Sequence, residues 1–266
     1  MPKISVIMAA YNCADSVSTS LESIANQTFE DWECIVCDDG SIDGTWETIC
    51  AFQKANPTKF KCIRNQENMG PAYSRNRCID LATGEYVAIQ DADDFSYSQR
   101  LEKQVRFLDS NPEVAVVGTY AEIFDRQGNI WGIAKPPLSP TVTQWIRGSC
   151  VVHASVLMRK TALQDVGLYN AGAKRDEDYE LFIKMLLKGY KIVTIPEILY
   201  RYKMDFSDYK KRKFKYRLKE AALILKTAKE TGIPFFYYAY ALRPLICGLV
   251  PSFFLYKYHR KKFRNT

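Results

Sequence analysis

Short apolar runs alternate with segments of helical spacing along the first 95 residues of this chain. Apolar runs bounded by turn residues predict strands, whereas apolar positions that recur every three or four residues predict helices. The pattern predicts four strands, near residues 3–9, 32–38, 60–64 and 85–90, and three helices between them, near residues 14–27, 44–55 and 70–82. Because strands that alternate with helices form βαβ units, we expect an α/β fold built on a parallel sheet.

Turn and capping residues agree with these boundaries. Asp15, Asp43 and Asn68 stand near the predicted helix starts, where a side-chain oxygen can accept a hydrogen bond from a free backbone N–H. Gly84 follows the third helix and is expected to stop it. The first strand leads into AAYNC at residues 9–13 rather than into a GxGxxG loop, which argues against a dinucleotide-dependent dehydrogenase.

The pattern changes after residue 95. A helix is predicted near residues 97–110, β-rich stretches at 114–124 and 151–158, and a further helix from Asp178 to Lys188. We expect mixed strands and longer connections in this part of the chain. We therefore expect a second half of different construction, ending near residue 200.

The distribution of charged residues separates two parts of the chain more clearly than the pattern of apolar positions does. Residues 201–266 hold 17 Lys and Arg against 4 Asp and Glu, whereas residues 1–200 hold 20 against 26. The overall net charge of +7 thus combines an acidic first part with a strongly basic and aromatic extension. Such an extension favours an anionic membrane surface or a nucleic acid as its partner.

The eight cysteines lie scattered in apolar runs and do not form a disulfide framework, so reduced thiols are expected. Cys34 and Cys37 form a CxxC pair, but the sequence around them predicts a strand with the two thiols on opposite faces, which disfavours a zinc or redox site. Residues 1–3 lead directly into the first strand. We therefore expect no cleavable signal and a catalytic part that stays in the cytoplasm.

Acidic clusters stand at the predicted strand ends and at one helix start. They occupy residues 38–39, 91–94 and 176–178. The carboxyl ends of neighbouring strands in an open α/β sheet face one crevice, in which ligands bind. Because so acidic a crevice would repel a nucleotide diphosphate at close range, a divalent cation is expected to bridge the two.

Five motifs occur in a fixed order along the chain. They are SVIMAAYN at residues 5–12, DDGS at 38–41, GPAYSRN at 70–76, GEYVAIQDADD at 84–94 and ED at 177–178. Together they resemble the family 2 glycosyltransferases with a GT-A fold, over roughly residues 1–200. The resemblance implies a Rossmann-like mixed sheet flanked by helices, with a nucleotide-binding half of about residues 1–95 and an acceptor-side half of about 96–200. Residues 201–266 would then form a basic, aromatic, helical C-terminal extension.

The resemblance assigns the nucleotide contacts to the first half. Ala9 and Tyr11 match the segment that holds the nucleobase, and the face of Tyr11 suits stacking; a core tyrosine is the alternative. Asp39 matches the aspartate that accepts a hydrogen bond from a pyrimidine imide, whereas Asp38 is alternatively a residue that only orders the following turn. Arg75 matches a cation near the nucleotide, and its alternative is a solvated charge on a helix face.

The resemblance also assigns the metal site. Asp91 and Asp93 match the two carboxylates of the DxD motif, with Asp91 expected near the ribose and Asp93 on the metal. Mn²⁺ or Mg²⁺ is the expected cofactor, because hard cations prefer oxygen ligands and share their shell with substrate phosphates. Asp94 is expected either to support this site or to cap the helix predicted after Ser96.

Asp178 matches the catalytic base of the family. In a single displacement it would take the proton of the acceptor hydroxyl, and the anomeric configuration would invert. Glu177 is expected to orient this base or to bind the acceptor, although acidic residues at a helix start are also favoured by the helix dipole. His153 resembles a histidine that lies ahead of this element and is expected to touch the acceptor or the diphosphate; a hydrogen-bonded core histidine is the alternative.

The resemblance implies an enzyme that transfers one hexosyl or N-acetylhexosaminyl group from a nucleotide sugar, with UDP favoured. A glycan or lipid-linked acceptor in cell-surface polysaccharide synthesis is expected mainly because the C-terminal segment resembles a membrane-binding one. No QxxRW motif follows Asp178, which favours a single addition over polymerisation. A sugar-nucleotide pyrophosphorylase is one alternative, but no Gly-rich phosphate loop follows Ile7. A non-catalytic glycan-binding protein is another, and it should lack part of the aspartate set.

Residues 233–256 are long and apolar enough to cross a bilayer. Three prolines, Arg243 and many tyrosines argue against a spanning helix. Aromatic rings beside basic clusters at 210–213 and 259–262 favour peripheral attachment to anionic lipid at the inner face of the cell membrane. The alternative is packing on the catalytic part or a homo-oligomer contact; nucleic acid is not expected, because no recognised binding motif accompanies the charge.

Overall fold

Among residues 1–173, 176–210 and 214–264, which the computed structural model describes, nine strands form one mixed sheet between layers of helices. The strands are β1 (Ile4–Ala10), β2 (Trp32–Asp38), β3 (Phe60–Arg64), β4 (Tyr86–Ile89), β5 (Phe95–Ser96), β6 (Val114–Phe124), β7 (Ile130–Ala134), β8 (Leu157–Arg159) and β9 (Lys191–Lys203). Their order is β3-β2-β1-β4-β8-β6-β9-β5, with β7 paired to β6. The predicted α/β fold is confirmed.

The helices follow the strands in sequence and cover both faces of the sheet. They are α1 (Val17–Ala25), α2 (Thr45–Ala55), α3 (Pro71–Leu81), α4 (Arg100–Ser110), α5 (Val142–Arg147), α6 (Lys160–Asp165), α7 (Glu177–Leu187), α8 (Phe206–Lys210), α9 (Phe214–Glu230), α10 (Leu242–Leu249) and α11 (Ser252–Arg264). Two short 3₁₀ helices lie at His153–Ser155 and Phe235–Ala241.

The first four strands are parallel and lie within one residue of their predicted bounds. Every residue of β2 is buried, because apolar clusters pack on both faces of the sheet. Cys34 belongs to one of these clusters and Cys37 to the other. Their thiols thus lie on opposite faces, as predicted, and all eight cysteines are free thiols.

Two of the predicted helix caps are wrong. The residue before α1 is Ser16 rather than Asp15, and its side chain caps no N–H. The residue before α3 is Gly70 rather than Asn68, and it also provides no side-chain cap. Pro71 begins α3 instead, because its fixed φ suits the first helical position and its missing N–H needs no acceptor there.

Asp43 and Gly84 act at helix ends in ways that differ from the prediction. Asp43 supports α2 from outside the cap position, since its Oδ1 accepts a hydrogen bond from the Thr45 backbone N–H at 3.1 Å. Gly84 does not stop α3, which ends at Leu81. A Cβ at Gly84 would stand 2.6 Å from the Ser5 backbone nitrogen, so this glycine allows close approach to β1.

The second half departs further from the predicted elements. Helix α4 begins at Arg100, three residues after the predicted start. The β-rich stretch predicted at 151–158 splits into a 3₁₀ turn and the short strand β8. Ser155 explains the turn, because its Oγ accepts a hydrogen bond from the Thr119 N–H at 3.1 Å and fixes the chain beside β6. β8 then runs antiparallel to β4 and β6, which makes the sheet mixed.

The C-terminal extension packs on the rest of the molecule. Ala221, Ile224 and Ala228 of α9 belong to the same buried cluster as Ile7 of β1, and α11 lies against β7, where a Cβ at Gly132 would stand 2.7 Å from the Cβ of Phe263. Within residues 233–256, Ala241 belongs to the same buried cluster, and Tyr238, Tyr240 and Leu245 pack against it. The alternative that this segment packs on the catalytic part is therefore realised, while the domain division at residue 200 stays a prediction.

No single helix in the described part of the chain is long and apolar enough to span a membrane. Phe235–Leu249 and Ser252–Arg264 together reach the required length and composition, with a bend of 117° between them.

Candidate active site

The ends of β1, β2 and β4 open into one cavity of 440 Å³. Parallel pairing places Ala10 opposite Asp38, and the Asp39 N–H donates to the Ala10 carbonyl at 2.8 Å. The register therefore brings the segments that follow these strands to one edge of the sheet. Six of the predicted site residues line this cavity: Ala9, Tyr11, Asp39, Arg75, Asp91 and Asp93. We call it the donor cavity.

Tyr11 lies on the surface of the donor cavity with 47% of its area exposed, so the alternative of a core tyrosine is wrong. The next residue, Asn12, has a φ of +47°. Its N–H donates to the Ser41 Oγ at 2.9 Å, and its Oδ1 accepts from the Ile42 N–H at 3.0 Å. These bonds tie the Tyr11 loop to the loop after β2 and hold the ring at the cavity.

Asp39 is buried and accepts three hydrogen bonds. The donors are the Asn65 Nδ2 at 2.6 Å, the Met69 N–H at 2.9 Å and the Gly70 N–H at 2.8 Å. Its carboxylate thus fixes the start of α3 as well as lining the donor cavity.

Asp38 orders the turn that follows β2, as the alternative interpretation held. It pairs with the Arg64 Nε at 2.9 Å and accepts from the Ser41 N–H at 3.3 Å.

Arg75 joins two acidic segments that are far apart in sequence. Its Nη2 lies 3.0 Å from Asp91 Oδ1 and its Nη1 lies 3.0 Å from Glu177 Oε1. The side chain is only 9% exposed, so the alternative of a solvated helix-face charge is wrong. Although burial alone would lower the pKa of Arg75, the nearby carboxylates of Asp91 and Glu177 raise it. The guanidinium therefore stays charged and holds α7 against the end of β4.

Asp93 presents a half-exposed carboxylate to the donor cavity, 3.7 Å from the Lys203 Nζ. Desolvation in the cleft, followed by repulsion from Asp91, raises its pKa, and Lys203 opposes that shift. No group of three or more His, Cys, Asp or Glu side chains suited to a metal ion occurs in the described residues. A cation here would thus depend on Asp93 together with ligands from a bound substrate.

Asp94 supports the neighbouring strand. It is buried, and its Oδ1 accepts a hydrogen bond from the Lys203 N–H at 2.7 Å. Burial, and then the charges of Asp91 and Asp93, raise its pKa well above the usual range. The alternative that Asp94 caps a helix is wrong, because α4 begins only at Arg100.

Asp178 lies in the first turn of α7, after Asp176 in a left-handed conformation with a φ of +61°. Its Oδ1 accepts a hydrogen bond from the Tyr179 N–H at 2.8 Å. Burial, and then the neighbouring Glu177 carboxylate, raise the pKa of Asp178 to about 7. A carboxylate with that pKa is suited to accept a proton near neutral pH.

A second cavity, of 630 Å³, lies beside the donor cavity and shares Arg75 and Asp91 with it. Asp178, Glu177 and His153 line it. We call it the acceptor cavity.

His153 is a hydrogen-bonded residue of the cavity wall. Its Nε2 lies 2.8 Å from the Tyr169 Oη, and its ring packs edge-on against Phe182. Burial, and then the nearby Arg75, lower the pKa of His153 to about 3. The imidazole is therefore neutral. These contacts match the core-histidine alternative, yet the ring also faces the acceptor cavity.

Sequence reasoning missed several cations at the two cavities. Arg126 and Lys203 line the donor cavity, and Arg217 and Arg243 line the acceptor cavity. The net charge of the extension signalled that basic residues cluster there, but not which of them face a cavity. Lys203 had no local signal, because β9 brings it beside Asp93 through pairing with β5 and β6.

The sequence of this chain is similar to those of known glycosyltransferases. Residues 5–167 match the model of Glycosyl transferase family 2. The chain is 35% identical to "Putative glycosyltransferase EpsE" of Bacillus subtilis (strain 168), over 99% of this chain and 95% of that protein. It is 27% identical to "UDP-Glc:alpha-D-GlcNAc-diphosphoundecaprenol beta-1,3-glucosyltransferase WfaP" of Escherichia coli, over 97% of this chain and 98% of that protein.

Solved structures share the fold at lower sequence identity. S. aureus TarS 1-349 in complex with UDP-GlcNAc superposes with a TM-score of 0.67 at 21% identity, covering 93% of this chain and 71% of that one; of a longer TarS chain the match spans 43%. The mannosyltransferase PcManGT from Pyrobaculum calidifontis, in complex with GDP-Man and Mn²⁺, superposes with a TM-score of 0.65 at 18% identity, covering 99% and 83%.

Proposed function

The chain belongs to glycosyltransferase family 2, and from this premise we propose that it transfers one sugar from a UDP-sugar to an acceptor hydroxyl with inversion. One observation carries the proposal: the donor and acceptor cavities meet at Arg75 and Asp91. A nucleotide sugar in the first cavity and a hydroxyl beside Asp178 in the second would meet across that shared wall. Family membership also favours this reading over a pyrophosphorylase or a non-catalytic glycan-binding protein.

The donor cavity suits a nucleoside diphosphate. Tyr11 offers an exposed aromatic face for a base, and Asp39 offers a fixed carboxylate for a pyrimidine N–H. Arg126 and Lys203 add positive charge to the cavity wall.

A divalent cation fits this donor set. Asp93 is half-exposed, and its pKa is raised in a crowded acidic cleft, so a bound cation would relieve the repulsion there. Mn²⁺ or Mg²⁺ takes one or two carboxylates together with substrate phosphates, and Asp93, with Asp91 nearby, would supply them. Such an ion would offset the negative charge of the departing diphosphate.

Asp178 is the proposed base. It accepts the proton of the acceptor hydroxyl as that oxygen bonds to the anomeric carbon and the bond to the diphosphate breaks on the opposite face. Its pKa of about 7 matches this task. Glu177, held by Arg75 at 3.0 Å, keeps α7 and therefore the base in place and raises the basicity of Asp178. His153 stays neutral and borders the acceptor.

The acceptor is proposed to be a lipid-linked glycan of cell-surface polysaccharide synthesis. The name of the E. coli relative gives GlcNAc-diphosphoundecaprenol, a lipid-linked sugar, for that protein. Helix α10 supports a membrane contact, because Leu242, Ile246 and Leu249 form one apolar face and are 56%, 61% and 77% exposed. Lys257 and Arg260 follow on α11. An apolar face beside basic residues suits the anionic inner face of the cell membrane.

Thermal unfolding with UDP, dTDP, GDP, CDP or no nucleotide, each with Mn²⁺ or EDTA, tests the donor site. A ligand at about a hundred times its dissociation constant stabilises the fold by about 2.7 kcal/mol. We expect a Mn²⁺-dependent rise in Tm with UDP. A rise with GDP alone would overturn the pyrimidine assignment, and no rise with any nucleotide would overturn the site.

A further inference from the structure

The acceptor cavity has two walls of opposite charge. Helix α7 and the end of β4 contribute Asp178, Glu177 and Asp91, whereas the C-terminal extension contributes Arg217 and Arg243. Lys135 and Lys262 also line the cavity. A ligand that fills it can therefore place a hydroxyl at the acidic wall and an anionic group at the basic wall.

Arg243 is exposed to this cavity without being neutralised. Within the described residues it makes no hydrogen bond or ion pair. Its guanidinium lies against Gly148, where a Cβ would stand 2.7 Å from Nη1. Gly148 has a φ of +148°, a conformation that favours glycine. The backbone at this position thus makes room for the guanidinium.

Arg217 is more enclosed and only partly paired. Its side chain is 13% exposed, and its Nη1 lies 2.9 Å from Glu220 Oε2. Its Nε is buried and has no hydrogen-bond partner among the described residues. A buried donor without an acceptor costs free energy, so the contacts that Arg217 makes among the described residues do not satisfy the whole guanidinium. The planar guanidinium fork also matches phosphate geometry.

We propose that Arg217 and Arg243 form an anion subsite that binds the phosphate or diphosphate group of the acceptor while the acceptor hydroxyl lies at Asp178. This assignment rests on the proposed function. Residue 242, next to Arg243, begins the exposed apolar face of α10. That face gives a hydrocarbon chain esterified to the same phosphate a surface along which to leave the cavity, so the subsite fits a lipid-linked phosphate better than a free sugar phosphate.

The test is titration of the full chain in EDTA with three probes: farnesyl diphosphate, inorganic pyrophosphate and farnesol. EDTA removes the divalent cation that the donor cavity is proposed to need. We expect farnesyl diphosphate to bind most tightly, and Arg243→Gln and Arg217→Gln each to weaken it about tenfold or more, the effect of a lost charged hydrogen bond. Gly148→Ala should act like Arg243→Gln, because its Cβ displaces the guanidinium.

Lys226→Gln is the matched control. Lys226 lies on α9 like Arg217, is 69% exposed, and pairs at 3.9 Å with Glu230 away from the cavity. The Lys226→Gln substitution removes one positive charge from the extension, as the arginine substitutions do, and should leave the affinity for farnesyl diphosphate unchanged.

Equal affinity for farnesol and farnesyl diphosphate, or unchanged affinity in both arginine variants, would overturn the subsite. Equal affinity for pyrophosphate and farnesyl diphosphate would support the anion subsite and overturn the role of the hydrocarbon chain. The Tm shift of the wild type with UDP and Mn²⁺ separates the two proposals. If this shift is seen but farnesyl diphosphate does not bind, the subsite is wrong and the transferase assignment stands. If UDP and Mn²⁺ cause no shift in the wild type, the transferase assignment itself is contradicted.

Discussion

The donor and acceptor cavities share Arg75 and Asp91 but are built in different ways. The donor cavity consists mainly of loops that directly follow β1, β2 and β4, and its key carboxylate, Asp39, is held by three hydrogen bonds from a segment 26 to 31 residues away. The acceptor cavity combines α7, a 3₁₀ turn and three helices of the extension.

This difference separates two kinds of specificity. In the proposed function, nucleotide recognition rests on short loops on a parallel sheet, whose geometry the strand register sets. Acceptor recognition rests on the extension, which packs on the rest of the molecule through α9 and through α11, the helix that contacts β7. We therefore expect changes in the extension to alter the acceptor while leaving the nucleotide site intact, and we expect Arg75, which borders both cavities, to couple the two sites.

Asp178→Asn should separate the two cavities most completely. The amide keeps the size of the side chain but cannot accept the proton, so we expect transfer to fall about 10²- to 10⁴-fold. The Mn²⁺-dependent Tm shift with UDP should stay as in the wild type, because Asp178 does not line the donor cavity. Parallel loss of transfer and UDP binding would instead make Asp178 a structural or metal-binding residue.

Arg75→Gln should damage both cavities together. It leaves Asp91 and Glu177 without the guanidinium that neutralises them at 3.0 Å, and breaking a buried pair costs about 3–5 kcal/mol. We expect lower stability in urea unfolding, weaker UDP binding and slower transfer. Arg106→Gln is the control, since Arg106 is 76% exposed and, among the described residues, pairs only along its own helix. A variant that lost transfer but kept UDP affinity would show that the cavities are not coupled here.

The same contrast explains what could be predicted from the sequence. β1 to β4 and the residues after them follow from local apolar runs and turn residues, because parallel register then brings their ends together. β9 and the cations Lys203 and Arg243 do not follow, since their positions depend on pairing with β5 and β6 and on packing of the extension. The burial of Arg75 was also missed, because its two partners lie 16 and 102 residues away.

Asp39→Asn should weaken the donor cavity alone. The amide replaces one carboxylate oxygen with a donor NH₂, which then faces either the Met69 N–H, now bonded to Oδ1 at 2.9 Å, or the Gly70 N–H, now bonded to Oδ2 at 2.8 Å. Losing a charged hydrogen bond costs about 1.5–3 kcal/mol, so we expect at least tenfold weaker UDP binding by calorimetry. Binding of farnesyl diphosphate in EDTA should not change. Unchanged UDP affinity would remove Asp39 from the nucleotide site.

With UDP-sugar and Mn²⁺ at saturation, the pH dependence of transfer should report on Asp178 in the acceptor cavity. A base must be ionised, and burial and then Glu177 raise the pKa of Asp178 to about 7, so kcat/KM should fall about tenfold per unit as the pH drops below 7. Glu177→Gln removes a negative charge beside Asp178 and so lowers the pKa of Asp178. At pH 6 this variant should retain a larger fraction of its own maximal activity than the wild type does of its maximum. An identical profile in that variant would mean that another group controls the rate.

The stability of the fold should also depend on pH through the raised pKa of Asp178. The unfolded Asp178 ionises near pH 4 while the folded one keeps its proton until about pH 7, so this residue lowers stability as the pH rises between those values. Asp178→Asn should therefore raise the Tm relative to the wild type at pH 8 more than at pH 4.5. An equal change at both values would contradict the raised pKa.

Ile246→Ser should have the smallest effect, confined to the extension. Ile246 is 61% exposed on α10, so its replacement should hardly change the Tm. Loss of its contact with lipid should weaken sedimentation with anionic vesicles several-fold, because burying one apolar side chain in part contributes about 1–2 kcal/mol to binding. Ile42→Ser is the matched control, because Ile42 is 90% exposed in the loop after β2, at the donor cavity's end of the sheet. Equal effects of the two changes would show that α10 makes no special contact with the membrane.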